Sequence, residues 1–298
     1  MAQGGILNHM KANTQKRGRH LLTANRSNGH SLGDLSFAQL PRTVRIDQII
    51  RETKTVSTFV LDASIQAKPG QFLMVWLPGI DEKPISIAWP DPLTITVAKV
   101  GEWSAALHDR RAGDSVGIRG SYGRPYRIMP DRSALLVGGG YGAAPLYYLA
   151  THMQARDMHI AVALGARKAD DLIFVDRFRK LGVELLLATD DGSLGAQGYV
   201  TVAIEDYLTS RPHDYPTIYA CGPEDLLYAL HGISRARKVP AQLSVERYMK
   251  CGFGICGQCT LDDILTCLDG PVLDAEQLDA KQDFGKYHRT ATGRRLPV

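Results

Sequence analysis

Four cysteines lie close together near the C-terminal end of the chain: Cys251, Cys256, Cys259 and Cys267. The first three follow the C-x4-C-x2-C spacing that plant-type 2Fe-2S proteins complete with a later cysteine. Glycines fill several intervening positions, which lets the backbone turn tightly and bring amide N–H groups towards sulfur. The spacing therefore predicts that these four thiolates bind a 2Fe-2S cluster.

Two other uses of these cysteines remain open. Four thiolates can hold zinc tetrahedrally, although structural zinc sites usually show two C-x2-C pairs and this segment has one. Unligated thiols are the other alternative. No histidine lies within the run, so the sequence does not indicate a Rieske-type cluster. The tight grouping and the odd total of five cysteines argue against the disulfide framework of a secreted protein.

The fifth cysteine, Cys221, follows a short apolar run and precedes a helical pattern. The carboxyl ends of parallel strands face the ligand crevice in open α/β sheets. Cys221 is therefore a candidate catalytic residue that contacts a nicotinamide ring. A small buried apolar side chain is the alternative interpretation.

Three further segments have residue types that suit a nucleotide. The run from Gly138 to Pro145 follows a predicted strand and opens a predicted helix, where glycines and a helix N-terminus favour phosphate. Thr189 to Gly195, including Asp190, follows another strand and predicts either a ligand loop or a simple turn. In Lys83-Pro84-Ile85-Ser86, the lysine can neutralise a pyrophosphate and the serine can donate a hydrogen bond.

The elements that must position these residues fall into two patterns. From about Arg42, short apolar runs separated by turn signals predict an antiparallel barrel or sandwich, with one helix from Trp103 to Arg110. After Pro130, strands alternate with helices, which predicts a parallel sheet covered on both faces. The fold class is thus all-β followed by α/β, with a small C-terminal cysteine segment.

This organisation predicts four parts: a disordered basic leader at 1–40, a barrel domain at 41–130, a nucleotide-binding α/β domain at 131–240, and a cluster segment with a basic tail at 241–298. A targeting or docking arm is the alternative for the leader. The net charge of +4 over 298 residues gives no reason to invoke nucleic acid. The sequence also contains no stretch long and apolar enough to predict a membrane span, and no secretory signal is predicted.

Taken together, these motifs resemble the ferredoxin-reductase superfamily, and more narrowly the electron-transfer subunits of class 1B dihydroorotate dehydrogenases. The run from Ser244 to Cys259, which ends in Cys-Gly-Phe-Gly-Ile-Cys-Gly-Gln-Cys, has the greatest similarity. The resemblance covers about residues 42–278. It implies an FAD-binding barrel, then a NAD(P)-binding domain, then the 2Fe-2S segment.

The resemblance also implies which residues bind each cofactor. The FAD contacts would be Lys83, Pro84, Ile85, Ser86, Thr96, Val97, Ala98, Gly101, Trp103 and Ser104. The nicotinamide site would be lined by Gly138, Gly139, Gly140, Gly142, Cys221, Gly222 and Pro223. Two positions depart from the family pattern, because Lys83 replaces a bidentate arginine and Trp103 is bulky where FAD phosphates approach the backbone. These departures predict weaker FAD binding or an altered loop.

The implied function is electron transfer between NAD(P)H, FAD, the cluster and a partner chain. The partner in the resembled enzyme is an FMN-containing catalytic subunit that oxidises dihydroorotate to orotate in pyrimidine biosynthesis, and we expect a cytoplasmic heterotetramer with two copies of each chain. Subunits of ferredoxin:NADP reductase, sulfide dehydrogenase or soluble hydrogenase share nearly the same motifs and are the alternative. A zinc-stabilised interaction module is the alternative from a different class. Arg167 and Lys168 follow a strand and suit either a 2′-phosphate or a solvated turn, so NAD and NADP are not distinguished.

Overall fold

The computed structural model describes residues 40–211 and 213–298. The predicted basic leader therefore lies outside the described residues, except for Leu40. The first part of the chain forms six antiparallel strands that close into a barrel in the order β1-β2-β5-β4-β3-β6. These strands are β1 (Arg42–Arg51), β2 (Val56–Leu61), β3 (Phe72–Leu77), β4 (Asp81–Pro90), β5 (Leu93–Ala98) and β6 (Ser115–Tyr122).

Apolar side chains fill the barrel because alternate residues of each strand point inward. Phe59, Leu73 and Ile95 are fully buried there. The helix α1 (Glu102–His108) packs its residue Leu107 against this core. The sequence pattern placed Lys83 to Ser86 between strand-like segments, but these residues lie within the barrel strand β4, because charged residues and a proline conceal its alternation.

The second part is a seven-stranded sheet with the order β10-β9-β8-β7-β11-β12-β15. Every neighbouring pair is parallel except β12 and β15. Its strands are β7 (Ala134–Gly139), β8 (Ile160–Ala166), β9 (Glu184–Thr189), β10 (Ala196–Gln197), β11 (Thr217–Cys221), β12 (Ala241–Ser244) and β15 (Val272–Asp274).

Helices cover both faces of this sheet, as the strand–helix alternation predicts. The helices are α2 (Ala143–Gln154), α3 (Val175–Leu181), α4 (Val200–Ser210) and α5 (Glu224–Arg237). On β7, Leu136 packs with α2 and α3, whereas Leu135 and Val137 pack with α4 and α5 on the opposite face. The sequence reading did not recognise α4, although its buried Ile204 and Leu208 keep a helical spacing.

The C-terminal segment contributes to the same sheet. Its strands β12 and β15 form one edge, and the elements between and after them are short: β13 (Thr260–Leu261), β14 (Ile264–Leu265), α6 (Thr266–Asp269), α7 (Ala275–Leu278), β16 (Tyr287–Arg289) and β17 (Arg295–Pro297). The division of the chain near residue 240 stays a prediction. None of the helices in the described residues has the length and apolar character needed to cross a membrane.

Contacts between the barrel and the sheet hold the two parts together. The hydroxyl of Tyr126 donates to the Ala220 carbonyl at 2.8 Å, and that of Tyr148 donates to the Ala67 carbonyl at 2.7 Å. Arg177 on α3 also pairs with Glu52 beside the barrel at 2.6 Å. A large cleft lies between the two parts.

Candidate functional site

A cavity of about 860 Å³ lies where the barrel, the sheet and the C-terminal segment meet. Cofactor and ligand sites commonly fall in the range of about 300–1,000 Å³. The barrel side of the cavity includes all ten residues that the sequence predicts as FAD contacts: Lys83, Pro84, Ile85, Ser86, Thr96, Val97, Ala98, Gly101, Trp103 and Ser104. The barrel strands β4 and β5 and the start of α1 thus converge on one wall.

The start of α1 has a tight backbone arrangement beside this wall. The Ser104 hydroxyl accepts hydrogen bonds from the backbone N–H groups of Val100 and Gly101, both at 2.9 Å. Trp103 is only 5% exposed and packs with the apolar core of the barrel. The barrel core therefore accommodates most of the indole ring. Trp103 obstructs the predicted FAD site less than its departure from the family pattern suggests.

Lys83 occupies the position where the family pattern has arginine. Its ammonium group donates to Asp81 Oδ2 at 2.5 Å and lies 4.7 Å from the centre of the Tyr248 ring. Burial alone would raise the pKa of Asp81, but the hydrogen bond and charge of Lys83 lower it overall. The lysine is thus held as a cation at the cavity wall.

The opposite wall is formed by the end of β11 and by the turns that follow β7 and β11. Cys221 is the last residue of β11, Gly222 and Pro223 follow it, and Gly142 faces them from the turn before α2. A Cβ atom on Gly142 would lie 2.1 Å from the Cys221 carbonyl oxygen, so only glycine allows the two turns to approach this closely. The predicted nicotinamide residues Cys221, Gly222 and Pro223 are brought together at this point.

Three predicted glycines and one aspartate do not line the cavity. A Cβ atom on Gly139 would meet Pro223 and Leu226 at 2.8 Å, so this glycine permits close packing between two turns. Gly138 packs on α2 in the same way, and Gly140 has a φ of 53°. Asp190 is exposed in the turn after β9. Their roles as ligand contacts stay predictions.

Cys251, Cys256 and Cys259 lie in the loop that follows the cavity residues Tyr248 and Met249, and Cys267 lies in the short helix α6. Backbone hydrogen bonds group the cysteines in two pairs. The amide of Cys256 donates to Cys251 Sγ at 3.5 Å, and the amide of Cys267 donates to Cys259 Sγ at 3.4 Å. A two-iron cluster takes two thiolates at each iron, which matches this grouping.

Backbone N–H groups point at the sulfur atoms. The amide of Gly254 donates to Cys267 Sγ at 3.2 Å, and the amide of Cys256 donates to Cys251 Sγ at 3.5 Å. Gly252, Gly254 and Gly257 all have positive φ values, which other residues rarely adopt. Glycine is therefore needed for the loop to turn its N–H groups inward.

These donors favour thiolates. Burial opposes ionisation of Cys251, but the amides of Cys256, Phe253 and Ile255 lower its pKa to about 7. The thiol of Cys267 and nearby amides lower the pKa of Cys259 to about 6, and the same pairing raises the pKa of Cys267. The donor set, its pairwise grouping and the inward amides fit an iron–sulfur cluster.

Comparisons with known proteins agree with this geometry. Residues 246–279 match the family model "Iron-sulfur cluster binding domain of dihydroorotate dehydrogenase B", and residues 136–231 match "Oxidoreductase NAD-binding domain". The chain is 42% identical to a probable dihydroorotate dehydrogenase B (NAD(+)), electron transfer subunit of Methanocaldococcus jannaschii, over 86% of this chain and 98% of the relative. A relative with the same name from Methanothermobacter thermautotrophicus is 43% identical, over 87% of this chain and 98% of its own length.

This chain belongs to the family of electron transfer subunits of dihydroorotate dehydrogenase B. A solved NADH-dependent reduced ferredoxin–NADP oxidoreductase, described for flavin-based electron bifurcation, is also similar, with 31% identity, a TM-score of 0.72, and 78% of this chain and 88% of that chain covered. The ferredoxin–NADP+ reductase of Plasmodium falciparum shares the fold at 14% identity, with a TM-score of 0.58 and 74% of this chain and 99% of that chain covered. These findings confirm the predicted family, fold class, oxidoreductase activity and cofactor classes.

The electron transfer subunit has cavity residues that the sequence reading missed. Glu246 lies two residues after the end of β12, and its carboxylate accepts a hydrogen bond from the Tyr141 hydroxyl at 3.2 Å. Burial raises the pKa of Glu246, and burial together with Glu246 raises the pKa of Cys221 to about 12. The position of Glu246 at a strand end was the available signal, as it was for Cys221.

The basic tail of this subunit also reaches the cavity. The hairpin of β16 and β17 places His288, Arg289 and Thr290 along one rim. Arg289 and Arg295 both pair with the buried carboxylate of Asp283, which fixes the hairpin against the sheet domain. The sequence predicted only a charged tail here, because such pairing depends on contacts distant along the chain.

Proposed function

We propose that this chain transfers electrons between a nicotinamide nucleotide and a partner subunit that oxidises dihydroorotate to orotate, through FAD and a 2Fe-2S cluster. One observation carries the proposal: a single cavity joins the predicted flavin and nicotinamide walls, and the cysteine loop starts beside it. Met249 lines the cavity, and Cys251 is two residues further along the chain.

The barrel wall would hold FAD. Bound FAD exchanges a hydride with nicotinamides and single electrons with iron–sulfur centres. Lys83 offers a fixed positive charge, Ser86 offers a hydroxyl, and Ser104 holds the backbone at the start of α1. Trp103 remains largely within the barrel core, which leaves the backbone of Gly101 accessible at the cavity.

The sheet wall would orient the nicotinamide. Cys221 is neutral and offers a small polarizable surface, because its pKa is raised to about 12. Glu246 offers a carboxyl group that Tyr141 orients and that could accept a hydrogen bond from the amide of a bound nicotinamide. Glycine at positions 142 and 222 lets the turns after β7 and β11 pack closely on each other beside this wall.

The cysteine loop would hold the cluster, with Cys251 and Cys256 on one iron and Cys259 and Cys267 on the other. Cys256 is exposed, whereas Cys259 and Cys267 are buried. The exposed edge of the loop suits exchange with another protein. All five cysteines lie in the described residues and none forms a disulfide, which supports a reducing, cytoplasmic location.

The partner would be an FMN-containing catalytic subunit, in a heterotetramer with two copies of each chain. The names of the relatives carry this part of the proposal, since each relative is called an electron transfer subunit. Dihydroorotate oxidation would take place on that other chain. Nothing among the described cavity residues suggests a separate site for the pyrimidine.

A subunit of a ferredoxin–NADP oxidoreductase is a second candidate. The similarity to the solved NADH-dependent reduced ferredoxin–NADP oxidoreductase supports it, because that match spans most of both chains. Co-purification separates the two candidates. An FMN-containing partner with dihydroorotate-dependent reduction of NAD supports the first, and a partner that instead couples NADPH to ferredoxin supports the second.

The direct test is purification with the native partner under anaerobic conditions, followed by flavin, iron and sulfide analysis. We expect FAD and a two-iron cluster in this chain, with iron lost in Cys256→Ser. Cys221→Ser is the matched control, since it removes a thiol outside the loop: iron should remain while hydride transfer from NADH slows. Colourless wild-type protein from this preparation, or full iron content in Cys256→Ser, would overturn the proposal.

A further inference from the structure

The strand β4 presents neighbouring side chains to different surroundings. Asp81 and Lys83 line the cavity, whereas Glu82 does not and instead contacts Arg119 on β6. Successive residues of a strand point to opposite faces, so this separation follows from the strand itself. One strand of the barrel therefore contributes to the predicted flavin wall and also to a second contact behind it.

That second contact is a buried ion pair. Arg119 donates from Nε to Glu82 Oε1 at 2.6 Å and from Nη2 to Glu82 Oε2 at 2.5 Å. The side chain of Arg119 is only 6% exposed and that of Glu82 is 19% exposed. A bidentate pair with this burial fixes the plane of the guanidinium group.

The remaining donors of Arg119 reach the cysteine loop. Nη2 donates to the Lys250 carbonyl at 2.9 Å, and Nη1 donates to the Cys251 carbonyl at 2.5 Å. The guanidinium also lies 5.7 Å from the centre of the Phe253 ring, in the same loop. Arg119 thus contacts three residues around the first cysteine.

The loop packs closely on the barrel at this point. A Cβ atom on Gly252 would lie 2.8 Å from Met74 Cγ on β3, so the backbone rests directly on the strand. Met74, Cys259 and Cys267 belong to one buried apolar cluster. Arg119 is therefore a charged contact at the edge of an apolar interface, where solvent screens it little.

We propose that Arg119, held by Glu82, is a positioning residue that fixes the cysteine loop on the barrel and sets the reduction potential of the cluster. By binding the carbonyls of Lys250 and Cys251, Arg119 directs these oxygens away from the loop interior. The amides of Gly254 and Cys256 then remain directed at sulfur. The inference rests on the proposed function for the presence of the cluster.

The charges give the proposal a sign. Reducing the cluster adds one negative charge, which a nearby cation stabilises and a nearby anion opposes. Arg119→Gln should therefore lower the reduction potential, and Glu82→Gln should raise it. Arg119→Lys retains the positive charge but lacks the planar guanidinium group. Its cluster potential should therefore lie closer to that of wild type than the potential of Arg119→Gln does, although the cysteine loop loses part of its order.

The exposed ion pair of Arg124 with Asp269 provides a matched control. It also joins the region after β6 to the cysteine segment, at 3.7 Å, but the Arg124 side chain is 60% exposed and the Asp269 side chain is 38% exposed. Arg124→Gln should leave the cluster unchanged because solvent screens such a pair.

The experiment measures cluster potential by redox titration with paramagnetic resonance, together with iron content and the rate of iron release to a chelator. Shifts of opposite sign in Arg119→Gln and Glu82→Gln, with none in Arg124→Gln, support the inference. If Arg119→Gln loses its cluster too quickly for a redox titration, iron release at least fivefold faster than in Arg124→Gln supports the inference instead. Unchanged potentials and unchanged iron release in both pair variants overturn it. Wild-type protein that lacks a cluster would instead overturn the proposed function.

Discussion

The Tyr141 hydroxyl donates to Glu246 Oε2 at 3.2 Å, which joins the turn before α2 to the end of β12 across the cavity wall. The Glu246 side chain is exposed to the open cavity, yet the protein packed around it raises its pKa. Water in the cavity screens part of this effect. The pair places a proton-binding group and its hydrogen-bond donor beside Cys221.

The raised pKa of Glu246 predicts a pH-dependent stability difference. Below about pH 4, near the ordinary pKa of glutamate, the carboxyl group is protonated in both the folded and unfolded states and carries no penalty. As the pH rises, the unfolded state ionises first, so the free energy of unfolding decreases. Glu246→Gln should therefore gain in Tm relative to wild type as pH rises towards 7, as thermal melts of both proteins would measure. A constant difference at every pH would contradict the raised pKa.

Removing the donor should extend this effect. The hydrogen bond from Tyr141 favours the ionised carboxylate, so Tyr141→Phe should raise the pKa of Glu246 further. The Tm difference between Tyr141→Phe and the double variant Tyr141→Phe/Glu246→Gln should keep increasing to a higher pH, and become larger, than the corresponding difference in the wild-type background. Tyr199→Phe is the control, because Tyr199 is 74% exposed and should not move the profile. Identical profiles in both backgrounds would show that the hydrogen bond is not formed.

Two glycine substitutions should have opposite effects on stability. In Gly142→Ala, the new methyl group would collide with the Cys221 carbonyl, so we expect a loss of about 1–3 kcal/mol in the free energy of unfolding, or more. In Gly232→Ala, the methyl group meets nothing within 4 Å inside α5, so we expect a gain of about 0.5–1 kcal/mol. Urea unfolding of the two variants measures both. Equal stability of Gly142→Ala and wild type would mean that the turns can separate freely.

The ion pair of Arg247 with Glu224 should contribute strongly to stability. Arg247 is 2% exposed, donates to Glu224 Oε1 at 2.8 Å, and also contacts its second carboxylate oxygen. Arg247→Met leaves a buried carboxylate without its partner, so we expect a loss of about 3–5 kcal/mol. Arg179→Met removes an exposed pair with Asp176 and should cost at most about 0.5 kcal/mol. Similar losses of stability in both variants would contradict the expectation that burial makes the Arg247–Glu224 pair the more costly one to break.

Local pattern was sufficient for much of the fold. The strand–helix alternation after Pro130 predicted a parallel sheet covered on both faces, and the helix predicted from Trp103 to Arg110 lies within two residues of the bounds of α1. The sequence pattern did not predict β4, because its first four residues, Asp81 to Pro84, interrupt any alternation of apolar residues. Neighbouring strands and the cysteine loop accept these side chains through specific pairs, which sequence spacing does not encode.

The candidate site divides in the same manner. All ten predicted flavin contacts and the Cys221 turn line one cavity. The end of the parallel strand β11 is where a ligand residue is expected, whereas pairing of β4 with β5 brings the flavin contacts of the barrel together. Gly138 and Gly139 support backbone packing instead of lining that cavity. Glu246, Tyr141 and the C-terminal hairpin enter it through contacts between distant segments.

The sequence by itself determined the chemistry available to this protein, because four cysteines at fixed spacing and glycines at the turns are local properties of the chain. Only the tertiary structure decided how the thiols pair, which turns approach within contact distance, and that Glu82 and Arg119 hold the cysteine loop. The physical reason is that packing and buried charge pairing act between residues separated by tens to more than a hundred positions. Such contacts exist only after the barrel and sheet have formed.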